Sequence, residues 1–593
     1  MRPKEFRIRV KRLLDAQLPP GDEILNQGFA LARDVSLGRT RFLDQLGVAS
    51  ESDYKRQCIR QGKIMFHAHI GMSTWEDTAQ ALQLLHRMGS KRRFAVDRFG
   101  LCLDRRMGLR PADRGRIPAE TGPLLESGRE WHAVGQTVPI QPHMGDFMIG
   151  FPSSTDNTLK ALEAGVTTIG NLSQFFSHEA PGWHDHAATT VETVRAIAIL
   201  GGLRKHGTLL HSYLEDGYGA LFLDCATIAG WAYLERYIVE ELIGAKLAHC
   251  IGGLTSDPVK RAGWVFALHE IHDGDCLGSM IYGDTISFSA DYSANHGLVG
   301  EYLLWDILAQ LKCPTGHAVH PLPETEGIRV PSAREIVEAQ VLGKRIEASA
   351  RRMLPHVNFD ESHGFANEMI RSGKIVCDQA LAGLKEAGVD IGNPVQLLYI
   401  LKKLGPAVFE EMFGAGEPSP GSPRGRQPVR ITDVFKRSQR IFAEYRPLFL
   451  NPEHRRLLNK KRLLIASSDV HEHAIMLLAE LCRAAGAHCI YLGAEQPALM
   501  VARSAVREQV DAILISTHNG MALEYAQALH TELRNRRASI PVVMGGVLNQ
   551  KVAGQALPLD VTRDLARLGF IPRAKLHDGF PALLDMPHSR DDS

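Results

Sequence analysis

Three strand-like apolar runs towards the C-terminal side of this 593-residue chain are each followed at once by polar residues or glycines. Short apolar runs that end in polar turns are typical of parallel strands separated by helices. We therefore expect a flavodoxin-like, doubly wound α/β domain over residues 460–593, with its ligand crevice outside the carboxyl ends of the strands. The runs, each with the notable residues that follow it, are Arg462–Ala466 with Asp469, His471 and Ala474; Ala512–Ser516 with His518 and Gly520; and Pro541–Met544 with Gly545 and Gly546.

The residues after the first run have the chemistry of a ligand to a cofactor. A histidine just after a strand end can project its imidazole into the crevice, as His471 would. A carboxylate two residues earlier, Asp469, can accept the other ring N–H, which sets the tautomer and raises the basicity of the ligand. Glycines such as Gly545 and Gly546 allow backbone to approach a ligand where any Cβ would clash.

In order and spacing, these residues resemble the cobalamin-binding pattern DxHxxG…SxL…GG. The resemblance implies that His471 replaces the dimethylbenzimidazole of the cofactor as the lower ligand of cobalt. It also implies that the displaced nucleotide tail enters the domain beside the sheet. The residues implied to bind the cofactor are Asp469, Ala474, Ser516, His518, Gly520, Gly545 and Gly546, together with His471. Two of them depart from the pattern, since Ala474 stands where the family has glycine and His518 where it has leucine.

Charge and cysteine content exclude several other classes of protein. The chain has 68 Lys and Arg against 67 Asp and Glu, so no net field favours nucleic acid or an anionic membrane surface. Its nine cysteines show no CxxC spacing, which argues against a zinc ribbon, a disulfide framework and a radical iron–sulfur cluster. The first residues lack an apolar leader segment, and no apolar stretch is long enough to span a membrane. We expect a cytoplasmic enzyme with a small-molecule substrate, assembled as a homodimer.

Residues 414–430 are rich in proline, glycine and serine, which predicts an extended, mobile linker. The linker separates a large N-terminal body from the domain described above. The predicted organisation is a helical segment at 1–55, a (β/α)8 TIM barrel at 56–357, a helical extension at 358–413, the linker at 414–430, a connecting segment at 431–459 and the cobalamin-binding domain at 460–593.

The barrel prediction rests on short apolar runs that alternate with amphipathic stretches, as in repeated βα units. In a barrel of this kind, the active site lies at the carboxyl ends of the strands. Many of the runs end in polar or glycine-rich turns, for example at His211 and Tyr282. The candidate strands are Lys63–His67, Pro139–Pro142 or Phe147–Phe151, Thr167–Gly170, Thr208–His211, Lys246–Cys250, Ser279–Tyr282 and His317–His320.

Three stretches of the barrel region, 211–221, 248–256 and 314–331, resemble the barrel subunit of glutamate mutase (methylaspartate mutase). With the C-terminal domain, the resemblance implies an adenosylcobalamin-dependent isomerase, a carbon-skeleton mutase working through a radical. It implies that Glu215 contacts a substrate ammonium group or carries a proton. Glu324 and Glu326 fall where the family contacts the adenosine ribose of the cofactor. Tyr213 and Tyr282 would line the mouth of the barrel.

The substrate implied by that family is less well matched. Glutamate mutase holds two carboxylates with three arginines, because guanidinium groups match carboxylates. Here His69 stands where the first arginine belongs, and residues 139–171 contain no arginine. We therefore expect a different amino or hydroxy acid.

Three other functions stay open on the sequence. His67 and His69, with His211, His249 and Asp284, resemble the ligands of a zinc amidohydrolase. A corrinoid methyltransferase uses the same cobalamin pattern, and a non-catalytic B12 sensor or carrier is the third alternative. The zinc site leaves the C-terminal domain unexplained, and a barrel is larger than a sensor needs.

Overall fold

A computed structural model of the chain describes residues 3–117, 119, 122–289, 291–327, 329–468, 473–494, 496–518, 520–550, 552 and 558–574. The chain divides into two compact units. The N-terminal unit comprises Met1–Glu326 with Pro331–Val434, and the C-terminal unit comprises Gly327–Val330 with Phe435–Ser593. None of the helices in the described ranges has the length and apolar character needed to cross a membrane.

Eight short parallel strands form the centre of the N-terminal unit. They are β1 (His67–Ile70), β2 (Arg98–Leu101), β3 (Gln141–His143), β4 (Thr168–Ile169), β5 (Leu209–Tyr213), β6 (Leu247–Cys250), β7 (Met280–Ile281) and β8 (Ala318–Val319). Strands β1–β2–β3, β4–β5–β6 and β7–β8 pair in chain order. Single parallel bridges join these groups, and the last one returns from β8 to the residue before β1: Met144–Ile169, Ile251–Ile281 and Phe66–Val319. The strands therefore form a closed parallel ring, called the eight-strand ring below.

Helices precede, connect and follow these strands. They are α1 (Pro3–Leu14), α2 (Gly21–Asp34), α3 (Arg41–Leu46), α4 (Glu51–Gln61), α5 (Trp75–Arg92), α6 (Pro111–Arg114), α7 (Gly128–Gln136), α8 (Ser154–Glu163), α9 (Leu172–Ser177), α10 (His186–Gly202), α11 (Cys225–Arg236), α12 (Pro258–Ile271), α13 (Tyr292–Lys312), α14 (Ala333–Met353), α15 (Asp360–Glu386), α16 (Pro394–Leu404) and α17 (Pro406–Phe413). Several begin at a side-chain cap, such as Thr74, whose hydroxyl accepts from the amide of Asp77 at the start of α5.

One predicted strand differs from the strand observed, and one observed strand was not predicted. The ladder of the first strand begins at His67, whereas the predicted strand Lys63–His67 ends there. Residues 64–66 are buried but precede that ladder. Strand β2, Arg98–Leu101, was not predicted at all, because it contains a charged residue and a glycine instead of an apolar run.

The proline-rich segment differs from the mobile linker expected at 414–430. The carboxylate of Asp224 accepts hydrogen bonds from the amides of Val429 and Arg430, both at 2.9 Å. Arg426 donates to the carbonyl oxygens of Glu411 and Gly416 at 3.0 and 2.9 Å. These bonds hold the segment on the N-terminal unit, whose boundary falls after Val434.

The C-terminal unit is built on five parallel strands in the order β10–β9–β11–β12–β15, beside a short antiparallel pair, β13–β14. This strand order is flavodoxin-like. After β9 and β10, the later strands β11, β12 and β15 are added on the other side of β9. The strands are β9 (Arg462–Ser467), β10 (His488–Gly493), β11 (Ala512–Thr517), β12 (Val542–Gly546), β13 (Asn549–Gln550), β14 (Leu559–Asp560) and β15 (Ile571–Arg573). The helices are α18 (Asp433–Leu450), α19 (Pro452–Leu458), α20 (His473–Ala484), α21 (Ala498–Arg507), α22 (Ala522–Asn535) and α23 (Thr562–Arg567).

Alternate residues of the central strands enter two different cores. Leu464 and Ile513 belong to one apolar cluster, and Leu463 and Leu514 belong to the other. Because successive side chains point to opposite faces, a strand covered on both faces must be apolar throughout. This explains the uninterrupted apolar runs of the sequence.

Candidate functional site

Five histidines lie inside the eight-strand ring and are called the histidine column below. They are His67, His69, His143, His211 and His320. The ring centroids of His67 and His143 lie 5.9 Å apart, although their strands, β1 and β3, are not neighbours. His143 and His211, on β3 and β5, lie 4.6 Å apart. Contacts between non-neighbouring strands of a closed ring cross its interior, so these imidazoles occupy the space that apolar side chains usually fill.

Burial keeps these imidazoles neutral. It lowers the pKa of His69 to about 4, with a further contribution from the positive charge of Arg98. The pKa values of His67, His143, His211 and His320 also lie well below their usual range, in each case first because of burial. A neutral imidazole has one donor nitrogen and one acceptor nitrogen. The column therefore presents hydrogen-bonding groups without charge.

The hydrogen bonds of the column define two tautomers and leave several nitrogens without a partner. His143 donates from Nδ1 to the carbonyl oxygen of Thr168 at 3.2 Å, so its Nε2 is an acceptor. His320 accepts at Nε2 from the amide of His69 at 3.3 Å, so its Nδ1 carries the proton. Among the described residues, no group pairs with Nε2 of His143, Nδ1 of His320 or either ring nitrogen of His67. Unpaired polar atoms at such depth are costly and mark a place where a ligand can bind.

Two stacked tyrosines lie beside the column at the carboxyl ends of β5 and β7. The rings of Tyr213 and Tyr282 are 5.1 Å apart and nearly parallel. The hydroxyl of Tyr282 lies 3.1 Å from Nδ1 of His69. A Cβ at position 253 would lie 1.9 Å from the Tyr213 hydroxyl, so Gly253 is required for this stack. Burial raises the pKa of both phenols, which keeps them protonated and able to donate.

Glu215 lies just after β5 with its carboxylate buried. One oxygen accepts from the amides of Gly252 and Leu254 at 2.6 and 3.1 Å, and the other accepts from the Thr255 hydroxyl at 2.6 Å. Burial raises its pKa, and these hydrogen bonds oppose that increase. In this arrangement Glu215 shapes the loop after β6. Its predicted contact with substrate stays a prediction.

Three further carboxylates, on Asp146, Asp216 and Glu326, follow the carboxyl ends of β3, β5 and β8. Burial raises the pKa of Asp146 to about 7, and the negative charge of Asp216 adds to this effect. Burial likewise raises the pKa of Glu326 to about 7. All three carboxylates add to the effect of burial on the pKa of Tyr282, as does Cys102 after β2. Sequence reasoning missed Asp146, Asp216 and Cys102, although each follows a strand of the ring.

The other predicted residues of this region lie apart from that cluster or are already paired. The carboxylate of Glu324 is paired with the imidazole of His296, and both side chains are well exposed. Of the arginines near the first strands, Arg106 pairs with Asp104 at 2.8 Å. Arg98 is buried against Glu51, with Nε 2.7 Å from the carboxylate.

Of the residues in the zinc amidohydrolase alternative, His67, His69 and His211 lie in the histidine column, whereas His249 does not. Within the described ranges, there is no group of three or more His, Cys, Asp or Glu side chains that could hold a metal ion. The ring of His249 lies 3.2 Å from the carboxylate of Glu235 and 2.9 Å from Nε2 of His272. Its nitrogens are therefore both engaged.

In the C-terminal unit, several polar groups lie at the carboxyl end of β11. This strand pairs with β9, where the order of strand addition reverses. The amide of Ser468, after β9, donates to the carbonyl oxygen of Ser516 at 2.9 Å. The buried hydroxyls of Ser516 and Thr517, and Oδ1 of buried Asn549, have no hydrogen-bond partner among the described residues. These groups can accept a polar ligand without losing an existing bond.

Two glycines border the same edge on the neighbouring strand. Gly545 and Gly546 are in register with Ser516 and Thr517. Gly546 has φ of 94°, and a Cβ there would lie 2.3 Å from the carbonyl oxygen of Thr517. A Cβ on Gly545 would lie 2.8 Å from the carbonyl oxygen of Arg573. At these two positions, no side chain covers the backbone where the predicted nucleotide tail of the cofactor would pass.

The remaining predicted residues of this site fall around that edge. The ring of His518 borders Gly546, and Gly520 adopts a left-handed φ of 81°. Ala474 is exposed in the first turn of α20. Asp469 and His471 lie outside the described residues, in the segment that connects β9 to α20.

Comparison with known proteins agrees with this geometry. The family model described as B12 binding domain matches residues 462–562, which include β9 to β14. A comparison of the chain with curated proteins gives no match. The unpaired hydroxyl of Ser516 and the bare backbone at Gly545 and Gly546 fit a cobalamin tail. Residues 462–562 of the C-terminal unit therefore match a B12-binding domain, which supports a cobalamin-dependent protein.

Proposed function

We propose that the protein is an adenosylcobalamin-dependent radical isomerase, a carbon-skeleton mutase acting on a small amino acid or a related acid. One observation carries the proposal: a chain with a B12-binding domain also has a closed ring of eight parallel strands, lined at its carboxyl end by buried polar groups. We interpret this ring as a (β/α)8 barrel, whose active sites lie at that end.

The residues of the C-terminal domain would hold the cofactor. His471 is proposed as the ligand of cobalt, with Asp469 setting its tautomer. Ser516, Gly545 and Gly546 would border the nucleotide tail. When bound, adenosylcobalamin supplies a 5′-deoxyadenosyl radical by homolysis of its cobalt–carbon bond.

The residues of the ring would bind and orient the substrate and exclude water. The neutral imidazoles of His69 and His320 offer hydrogen bonds without titrating near pH 7, because burial depresses their pKa values. The hydroxyl of Tyr282, 3.1 Å from His69, is held at the edge of this group. Glu215 keeps the loop after β6 in place through three hydrogen bonds. Such an arrangement suits radical chemistry, which depends on positioning and on a dry site.

The test is anaerobic incubation of the full chain with adenosylcobalamin and single amino or hydroxy acids, followed by electron paramagnetic resonance. A cobalt(II)–radical pair that appears with one substrate supports the isomerase. Turnover with methylcobalamin and no radical signal would instead establish the corrinoid methyltransferase.

A matched pair of variants tests the ligand of cobalt. His471→Ala is expected to weaken cobalamin binding and abolish the base-off, histidine-ligated spectrum. His488→Ala, which changes an exposed histidine at the start of β10, is the control and should leave both unchanged. An unchanged spectrum in His471→Ala would disprove the assignment of the ligand.

A further inference from the structure

The loop that follows β6, residues 252–257, is held by charged side chains and is called the β6 loop below. The carboxylate of Glu215 accepts from two of its amides at 2.6 and 3.1 Å and from the hydroxyl of Thr255 at 2.6 Å. The buried guanidinium group of Arg261 donates to two of its carbonyl oxygens at 2.5 and 2.8 Å. Hydrogen bonds with one charged partner are stronger than neutral ones, so these contacts favour one arrangement of the loop backbone.

The β6 loop borders the stacked tyrosines at the carboxyl end of the ring. A Cβ on Gly253 would lie 1.9 Å from the hydroxyl of Tyr213 and 3.3 Å from the ring of Tyr282. The carbonyl oxygen of Gly253 also accepts from the amide of Thr285, in the loop after β7, at 3.0 Å. A displacement of the β6 loop would therefore move the backbone against which the tyrosines pack.

The far end of the β6 loop is bound by Asp433, which is distant in the chain. One oxygen of its carboxylate accepts from the amides of Ser256 and Asp257 at 2.9 and 3.0 Å. The other oxygen pairs with Lys260, whose ammonium group also donates to the carbonyl oxygen of Ile431 at 2.9 Å. The side chains of Asp433 and Lys260 are only 13% and 14% exposed. Because little solvent screens these charges, the contact is stronger than a surface ion pair.

Asp433 is also the first residue of α18, and the boundary of the N-terminal unit falls one residue later. The rest of α18 belongs to the C-terminal unit, where Phe449 is buried in the same apolar cluster as Leu463 of β9 and Ile475 of α20. Helix α20 follows the segment that contains His471, the proposed ligand of cobalt. One helix thus begins at the carboxylate that holds the β6 loop and ends in the core that α20 shares.

We propose that Asp433 is a positioning residue that couples occupation of the B12-binding domain to the order of the β6 loop. Withdrawal of its carboxylate would leave two amides of the loop and the ammonium group of Lys260 without this acceptor, which destabilises the ordered loop. Because coupling between two sites is reciprocal, cofactor binding that stabilises the start of α18 also stabilises the loop. The coupling needs only bound cobalamin, so it goes beyond the proposed isomerase and does not depend on the reaction.

Hydrogen–deuterium exchange of the full chain, measured by mass spectrometry with and without adenosylcobalamin in the dark, tests the coupling without a substrate. Saturation with the cofactor, verified by absorption, is expected to slow the exchange of peptides covering 252–257 about fivefold or more. Unchanged exchange of the β6 loop in the saturated chain would overturn the inference, even if a cobalt(II)–radical pair forms with a substrate. Slower exchange without a radical pair would support the coupling and count against the isomerase alone. Failure to bind adenosylcobalamin would overturn both.

Variants of the full chain then test the role of Asp433. Asp433→Ala is expected to abolish the effect of adenosylcobalamin on the β6 loop and to speed its exchange about tenfold in the free chain, because two amides lose their acceptor. Exchange in α5 should stay unchanged, which separates local release of the loop from a loss of overall stability. Asp433→Asn keeps one carbonyl oxygen for the two amides and should retain part of the effect.

The control is Asp185→Ala, which removes an exposed carboxylate that accepts from the amide of Ala188 within its own helix, α10. It should alter neither the exchange of the β6 loop nor its response to adenosylcobalamin. If Asp433→Ala does not fold, the partial response of Asp433→Asn still decides. A response to adenosylcobalamin that is undiminished in the variants of Asp433 would refute the proposed role of this residue.

Discussion

Oε1 of Glu51 lies 2.7 Å from Nε of Arg98, and both side chains are buried at the amino ends of the strands of the ring. Nζ of Lys55 also lies 3.4 Å from Oε1, and the other oxygen of Glu51 accepts from the hydroxyl of Thr168 at 2.8 Å. Burial raises the pKa of Glu51, but the charges of Arg98 and Lys55 outweigh this effect and hold it below its usual value. Helix α4 thus places a carboxylate and an ammonium group beside Arg98 at the amino ends of the strands.

Replacing Glu51 by alanine is expected to lower the free energy of unfolding of the N-terminal unit by about 3–5 kcal/mol, because it leaves the buried Arg98 without its partner. Urea unfolding followed by tryptophan fluorescence measures this, since all six tryptophans lie before residue 435. Glu338→Ala is the control: its exposed ion pair with Arg92 contributes about 1 kcal/mol or less. Equal effects of the two substitutions would contradict the stabilising role of the buried pair of Glu51 and Arg98.

Asp146→Asn is expected to stabilise the N-terminal unit at pH 8 and to have no effect near pH 4. The folded-state pKa of Asp146 is raised from 3.8 to about 7, so ionisation opposes folding increasingly as the pH rises between these values. The full shift corresponds to about 4 kcal/mol, and partial exposure of the side chain reduces the expected gain to about 2 kcal/mol. Tryptophan-monitored unfolding across this pH range tests it. The gain should be absent in Asp156→Asn, and a gain that does not vary with pH would contradict the raised pKa.

Ser516→Ala is expected to weaken cobalamin binding and to leave the stability of the C-terminal unit almost unchanged. The Ser516 hydroxyl is buried without a partner, so its removal should change the free energy of unfolding by less than about 1 kcal/mol. Loss of a contact to the cofactor tail should nevertheless weaken cobalamin binding, measured by absorption titration. Thr531→Ala, on the exposed surface of α22, should leave binding unchanged. Unaltered affinity in Ser516→Ala would remove this residue from the site.

Gly546→Ala and Gly569→Ala form a matched pair in the C-terminal unit. Both glycines have a left-handed φ, of 94° and 83°, so both substitutions add backbone strain of about 1 kcal/mol. Only at Gly546 would the new Cβ clash, 2.3 Å from the carbonyl oxygen of Thr517, whereas the space at Gly569 is open. Melting followed by circular dichroism should show a larger loss in Gly546→Ala, together with weaker cobalamin binding. Comparable losses in both variants would mean that the edge of β12 tolerates a side chain.

The cobalamin-binding domain was predictable because its central strands are covered on both faces. Leu463 and Leu464 face opposite cores, which forces an apolar run and makes the strand visible in the sequence. The polar residues that follow such runs could then be located at one edge of the sheet. The match of the B12 binding domain to residues 462–562 confirms that such a domain is present, and the predicted site residues stay a prediction.

Strand β2 and the carboxylates at the mouth of the ring could not be predicted in the same way. Arginine is typical of surfaces, and the burial of Arg98 in a strand depends on the carboxylate of Glu51 and the carbonyl oxygen of Ser279. Asp146 and Asp216 lie far apart along the chain, in loops whose composition carries no pattern. Both follow the carboxyl ends of their strands, which the ring brings to the same edge.

The sequence by itself determined that the chain carries a B12-binding domain at residues 462–562, because that domain is marked by short motifs at the ends of strands that follow one another closely. Only the tertiary structure decided the electrostatic character of the carboxyl end of the eight-strand ring. Whether Asp146 is a solvated loop carboxylate or a partly buried charge with a pKa of about 7 depends on what surrounds it after folding. Burial and the distance between charges arise only when strands distant in the chain close into a ring, so they leave no local signature in the order of residues.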